Sequence, residues 1–256
     1  MLESGHHTSR PALTLQGVSL KFGALHAVRD VTLDVAHGER RAILGPNGAG
    51  KTSLFNAICG DYRPSSGTIT FLGDEITQLP AHARARKGIG RTYQNSLLFN
   101  GLTVLENIFV AARGVSGNRF SLRAPGAQDK VMADAKAFAD QVRLSHVLHR
   151  TVDELSHGQR RQLEVGMALA SRPRLLMLDE PAAGLSAAER PELNQLIRTL
   201  PRDLTLILIE HDMDVALPNS DMVTVMKDGE VVVEDTPDRI QHDPLVYEIY
   251  LGKGAV

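Results

Sequence analysis

The apolar positions of this chain change their spacing three times. From Leu13 they alternate, as Leu13 and Leu15, then Val18, Leu20 and Phe22, and again as Val31, Leu33 and Val35 around Thr32 and Asp34. A period of two marks strands with one buried face, so two half-buried antiparallel strands are expected. Ala42-Ile43-Leu44 is a short continuous apolar run, which fits a fully buried strand. It leads into Gly45-Pro46-Asn47-Gly48-Ala49-Gly50, after which Lys51 to Cys59 reads as a helix stopped by Gly60. Thr68 to Leu72 reads as one more short strand. In the middle third Leu102 to Ala112 is apolar on one side, Gly114 to Gln128 reads as a loop, and Val131, Ala135, Phe138 and Val142 recur at helical spacing. Gln159 to Ser171 also reads as a helix. The last third returns to strands and helices: Leu175 to Leu178, a helix face at Leu193, Leu196, Ile197 and Leu200, then Leu204 to Ile209. Pro191 blurs the start of that helix. Met222 to Met226 and Val231 to Val233, joined at Asp228-Gly229, read as a hairpin.

Aliphatic strands alternating with helices imply an α/β fold with a mixed, mostly parallel sheet. An antiparallel β part precedes it, and a helical block interrupts it over 95–171. Residues 1–12 are expected as a loose tail. The chain has 256 residues, 43% of them hydrophobic, enough for a large core. A net charge of −2 gives no basic face for nucleic acid. One cysteine excludes an internal disulfide framework, and Cys59 is expected as a small buried hydrophobe. The longest aliphatic runs fall far short of the roughly 20 residues of a membrane span, and the first residues do not read as a secretory signal. A cytosolic location is the expectation. His6-His7 reads as solvated tail. Arg84, Arg86, Lys87 and Arg91 read as a solvated basic face.

Candidate chemistry concentrates in two places. Gly45 to Thr52 fits G-x-x-x-x-G-K-[ST] in full, between a strand and a helix. Glycines let backbone N–H groups close around phosphate oxygens, and the helix start adds its positive end. Lys51 supplies a point charge and Thr52 a hydroxyl for Mg²⁺. In Leu175-Leu176-Met177-Leu178-Asp179-Glu180 a buried strand delivers two acids. Asp179 is suited to hold Mg²⁺ through water, and Glu180 to take a proton from an attacking water.

Between them lies Leu155-Ser156-His157-Gly158-Gln159. Locally it is a helix start, with Ser156 and Gln159 spaced as a capping box. The segment resembles the Leu-Ser-Gly-Gly-Gln signature of the ATP-binding cassette (ABC) ATPases. The order phosphate loop, Gln94, signature, acidic strand and Glu210-His211 resembles that family from Leu13 onward. The resemblance implies a P-loop core with an antiparallel β subdomain and an inserted helical subdomain. It implies that ATP with Mg²⁺ is bound by Phe22, Gly45, Pro46, Asn47, Gly48, Ala49, Gly50, Lys51, Thr52 and Ser53, the first of these stacking on adenine. Phe22 reads equally well as a strand-core aromatic.

The resemblance further implies that Gln94 joins Thr52 and Asp179 at Mg²⁺, and that Glu180, His211 and Gln94 serve hydrolysis. Leu155, Ser156, His157, Gly158 and Gln159 would complete the ATP site of a second subunit, head to tail. That subunit would be a copy of this chain or a paralogue. Two positions depart from the family pattern. His157 replaces the more usual glycine, and Ser186, in the loop Ala183-Gly184-Leu185-Ser186, stands where many relatives carry Asp.

Gly90-Arg91-Thr92-Tyr93-Gln94, Asp179 to Leu185 and the tail Asp243 to Gly252 are similar to ATPase subunits of branched-chain and hydrophobic amino acid importers. Such a subunit works from the inner face of the membrane with polytopic permeases and, indirectly, a solute-binding protein. Urea or short-amide importers and lipopolysaccharide exporters stay open. A soluble ABC ATPase fits less well, because the chain has neither a long coiled-coil insertion nor a second cassette. A regulator without hydrolysis fits less well because Asp179-Glu180 is intact.

Overall fold

The computed structural model describes residues 10–93, 97–115 and 130–251. The alternating segments form β1 (Leu13–Phe22) and β2 (Leu25–Val35), paired antiparallel with Leu13 opposite Val35 and Leu15 opposite Leu33. β4 (Ser66–Phe71) pairs on the other side of β1, and β5 (Asp74–Glu75) closes this four-stranded sheet. Ala12, read as part of the loose tail, is buried instead. Its N–H donates to Val35 O and its carbonyl accepts from Leu72 N–H, so the sheet captures the chain one residue early.

The second sheet holds six strands in the order β10 (Glu230–Asp235), β9 (Met222–Lys227), β3 (Arg40–Leu44), β8 (Thr205–Ile209), β7 (Leu175–Asp179) and β6 (Ile89–Arg91). All neighbours are parallel except the β9–β10 hairpin. Sheet order explains the unbroken apolar runs, since both faces of the central strands are covered. Leu175 and Met177 of β7 face one core together with Ile207 and Ile209 of β8. Leu176, Leu178, Leu206 and Leu208 face another. The first core also takes Leu13, Leu15, Ile69 and Phe71 from the antiparallel sheet. Leu54, Phe55 and Ile58 of α1 (Lys51–Cys59) join it, so α1 lies between the sheets.

The second core continues into the middle block. There α3 (Val104–Val115), α4 (Lys130–Gln141) and α5 (His157–Ala170) bury Ile108, Ala135, Ala139 and Leu163 against one another. Two short 3₁₀ turns, Ser145–Val147 and Val152–Glu154, link α4 to α5. Gly114 and Val115, read as the start of a loop, are the last turn of α3, and the remainder of that expected loop up to Gln128 lies outside the described residues. α6 (Arg190–Thr199) follows β7 and carries Pro191 in its first turn, where a missing N–H is harmless. The chain closes through α7 (Met213–Ala216), α8 (Pro237–Ile240) and α9 (Pro244–Leu251). Among the described residues no helix is long and apolar enough to cross a membrane.

One expectation fails clearly. α2 (Ala81–Lys87) holds Arg84 with 1% of its surface exposed. Its guanidinium donates to the carbonyls of Leu79, Ala57, Ile58 and Thr77 at 2.6–3.0 Å. It satisfies carbonyls at the end of α1, and only Arg has the donors to do so. Arg91 is not a solvated face either. It pairs with Asp61, and its guanidinium lies 3.9 Å from the Tyr93 ring centroid. Cys59 is buried as expected; burial pushes its thiol up to about 12, and Sγ packs 3.6 Å from Met177 Sδ.

Candidate active site

Three adjacent parallel strands, β3, β8 and β7, deliver their C-terminal ends to one edge of the sheet. Ile43 and Asp179 both stand level with Ile209, so Gly45, Glu180 and Glu210-His211 emerge side by side. Parallel α/β sheets gather ligand sites at this edge.

The loop Gly45 to Gly50 turns from β3 into α1. Gly50 has φ 98°, and a Cβ there would lie 2.3 Å from Ala27 O, so only glycine fits. α1 starts with no capping side chain and no acidic residue in its first turn. Its leading N–H groups and positive end are therefore available to an anion. Lys51 is buried; its Nζ donates to Gly45 O at 2.7 Å and Pro46 O at 3.1 Å. Burial lowers its pKa, against the pull of Glu180, Asp179 and Glu210. An open cleft of about 630 Å³ is lined by residues 47–53, Glu180, and Leu25, His26 and Ala27 of β2.

Asp179 is 4% exposed. Burial, with Glu180 adding to it, pushes its carboxyl up to about 6. Its N–H donates to Thr92 Oγ1 at 3.3 Å, and Oδ1 is buried with no hydrogen-bond partner among the described residues. An orphaned carboxylate oxygen beside a phosphate cradle fits a divalent cation. No group of three or more His, Cys, Asp or Glu gathers among the described residues. Mg²⁺ in nucleotide sites takes one or two protein oxygens together with the phosphates.

Glu180 has φ 46°, a left-handed conformation that costs an L-residue of order 1–3 kcal/mol. It is held by its N–H to Ile209 O, 2.9 Å, and by Ala183 N–H to its carbonyl, 3.0 Å. Its carboxylate lies 3.7 Å from Nδ1 of His211, which is half exposed. Phe22 is 44% exposed at the end of β1, edge-on to Tyr62 with ring centroids 5.1 Å apart, so it is not a strand-core aromatic. Gln94 lies outside the described residues, which stop at Tyr93 just after Thr92.

The signature segment starts α5. Leu155 is buried in the helical core. Ser156 Oγ accepts from Gln159 N–H and Gln159 Oε1 from Ser156 N–H, at 3.2 and 3.0 Å, forming the expected capping box. None of residues 155–159 lines the cleft at the phosphate loop.

Two groups at the site carried no role in the sequence. Tyr250 of α9 accepts from Gly45 N–H at 2.9 Å, across 205 positions. Glu210 is fully buried; its Oε1 accepts from Ala182 N–H, and burial raises its pKa. In the sequence Glu210 stands out only beside His211, just past the end of β8, and Tyr250 only within the Asp243 to Gly252 tail, and no local pattern marks the contact of either.

The ABC transporter family model matches residues 28–183, from β2 through β7 to the turn beyond Glu180. The chain belongs to the ABC transporter family.

This ABC ATPase is 39% identical to the high-affinity branched-chain amino acid transport ATP-binding protein BraF of Pseudomonas aeruginosa, over 96% of this chain and 99% of that one. It is 37% identical to LivG of Escherichia coli, with the same coverage. The ATP-binding cassette MJ1267 in its ADP conformation superposes with a TM-score of 0.84 at 29% identity, over 96% of this chain and all of that one. As an ABC cassette the chain binds ATP and couples its hydrolysis to transport.

Proposed function

We propose that this ABC ATPase powers import of branched-chain or other hydrophobic amino acids. Its 37–39% identity over 96% of its length to BraF and LivG supports that substrate class. The observation that carries the chemistry is the meeting of the phosphate loop with Asp179 and Glu180 at one sheet edge.

ATP would lie with its phosphates in the loop that Gly45, Pro46, Asn47 and Ala49 shape, against the N–H groups of Gly48, Gly50, Lys51, Thr52 and Ser53 and the Lys51 ammonium. Phe22, exposed at the end of β1 and paired with Leu25 of the cleft wall, would stack on adenine. Thr52, Asp179 and Gln94 would hold Mg²⁺, which would neutralise charge on the phosphates. Glu180 would take a proton from the attacking water, and His211 would contact the γ-phosphate. Water then adds to phosphorus as the bond to ADP breaks.

The signature, residues 155–159, would face the nucleotide of a second ATPase subunit, so that two ATP lie between two chains. Loss of the γ-phosphate removes a shared ligand and lets the pair open. The movement would pass through Gln94 and the helical block at 95–171 to polytopic permease subunits at the inner membrane face. A cleft of about 840 Å³ beside that block exposes Tyr93, Leu97 and Phe99, and suits an apolar segment of such a permease. A solute-binding protein would act indirectly, and no nucleic acid takes part.

Glu180→Gln tests this. ATP binding stays, and turnover falls by roughly 10²–10⁴, the usual range for a general base. Light scattering with Mg-ATP gives twice the 27.8 kDa subunit mass if the chain pairs with itself. A single chain with ATP bound makes the second subunit a different chain. Near-normal hydrolysis in Glu180→Gln removes Glu180 from its role.

A further inference from the structure

The signature helix touches a second segment of its own chain, the turn between Glu180 and α6. Glu189 forms the main link. Its Oε2 accepts from Ser186 N–H and Oγ–H, at 3.0 and 2.8 Å, and its Oε1 accepts from Gly158 N–H at 3.1 Å. These donors, Ser186 first, hold its carboxyl below the ordinary range. One residue before Gly158, the His157 ring forms the other link, with Nε2 3.2 Å from Ala183 O.

Each link passes over a glycine of the opposite segment. A Cβ on Gly158 would lie 3.0 Å from Glu189 Oε1, and a Cβ on Gly184 would lie 2.9 Å from His157 Nε2. The two segments interlock, each leaving room for the other's side chain. His157 thereby fills its unusual place in the signature with a definite contact. Ala183, which it touches, donates its own N–H to the carbonyl of Glu180.

The first turn of α5 is thus covered from within. Gln159 N–H goes to Ser156 Oγ, Arg160 N–H to Ser156 O, and Gly158 N–H to the Glu189 carboxylate. A carboxylate on a helix N-terminal N–H does what a phosphate would do there. We propose that Glu189 is an internal stand-in for the γ-phosphate of the partner's nucleotide. It holds the Gly158 N–H while the chain is single and is displaced when the two subunits close. The inference rests on the composite site proposed above. Displacement is feasible because only one of the three Glu189 bonds is to the signature. The other two, to Ser186, let the carboxylate stay with its own turn after release. An incoming phosphate brings more charge and more acceptor oxygens than the carboxylate it replaces.

The test measures the ATP concentration for half-maximal pairing in the Glu180→Gln chain, with and without Glu189→Gln. An amide oxygen still caps the Ser186 turn but carries no charge toward the arriving phosphate. The half-point is expected to fall by roughly fivefold, the scale of weakening one charge-assisted bond. Glu192→Gln removes the same charge from an exposed position in the first turn of α6 and is expected to leave the half-point in place.

An unchanged or raised half-point in Glu189→Gln, or an equal fall in Glu192→Gln, overturns the proposal. A second readout needs no pairing. Hydrogen exchange at the Gly158 amide of the nucleotide-free chain is expected to quicken by roughly tenfold in Glu189→Ala, the scale of one lost hydrogen bond. Exchange at Gln159, capped by Ser156, is expected to hold steady. An unchanged Gly158 rate overturns the proposal. If Glu180→Gln binds ATP and never pairs with itself, self-pairing fails separately, and Glu189 is judged on the exchange rates alone.

Discussion

Two helices of this chain begin at candidate phosphate sites, and they begin differently. α1 follows a glycine with no side-chain cap, and its walls, β3, β7 and β8, are buried. α5 starts on the surface under a capping box and the Glu189 carboxylate. The first leaves its N–H groups open for the nucleotide that its own Lys51, Asp179 and Glu180 surround. The second keeps its donors satisfied because the nucleotide it would meet arrives on another molecule. The half that grips the phosphates is built in buried strands, and the half that would reach a partner's nucleotide keeps its donors satisfied at the surface.

The largest test of that contrast is Asp179→Asn, at the buried site. Folding raises the carboxyl from its ordinary 3.8 to about 6, so the folded chain binds the proton more tightly than the unfolded one. The cost to stability is absent below about pH 4, grows between pH 4 and 6, and is constant above. Asp179→Asn is therefore expected to stabilise the nucleotide-free protein by up to about 3 kcal/mol at pH 7.5 and by little at pH 4. Thermal unfolding at the two pH values reads it, and equal shifts at both would show that this site stores no such cost.

Tyr250→Phe comes next. It strips the buried Gly45 N–H of its acceptor, at about 1–2 kcal/mol. ATP affinity by calorimetry is expected to fall severalfold, and unchanged affinity would mean the loop keeps its shape without α9. The smallest effect on stability belongs to Ser156→Ala at the exposed site, about 1 kcal/mol for a lost cap. Pairing with ATP is expected to suffer more than thermal stability does. A larger loss of stability than of pairing would break the comparison, by making α5 a structural start rather than a shared site.

What was legible in the sequence follows the same division between local and distant causes. The strand ending in Asp179, the helix Lys51–Cys59 with its Gly60 stop, and the Ser156–Gln159 box all rest on neighbours a few residues apart, and all are found. Arg84 misled because Ala-His-Ala-Arg-Ala-Arg-Lys looks like a solvated helix. The carbonyls that draw Arg84 inward lie on α1 and on the stretch before α2. β6 is three residues with a glycine at its centre, and gains strand form only by pairing with β7, some 85 positions later. Glu189 reaches Gly158 over 31 positions, and no pattern within α6 announces it.

The Tyr250 contact has a consequence in time. β3 and the phosphate loop lie in the first fifth of the chain, yet β3 sits between β8 and β9, Gly229 N–H donates to Ala49 O, and Gly45 waits for a hydroxyl in the last described helix. On a ribosome adding residues from the N-terminus, the loop emerges early and is completed late. The full set of contacts that holds the loop therefore exists only after α9 has been made and has docked.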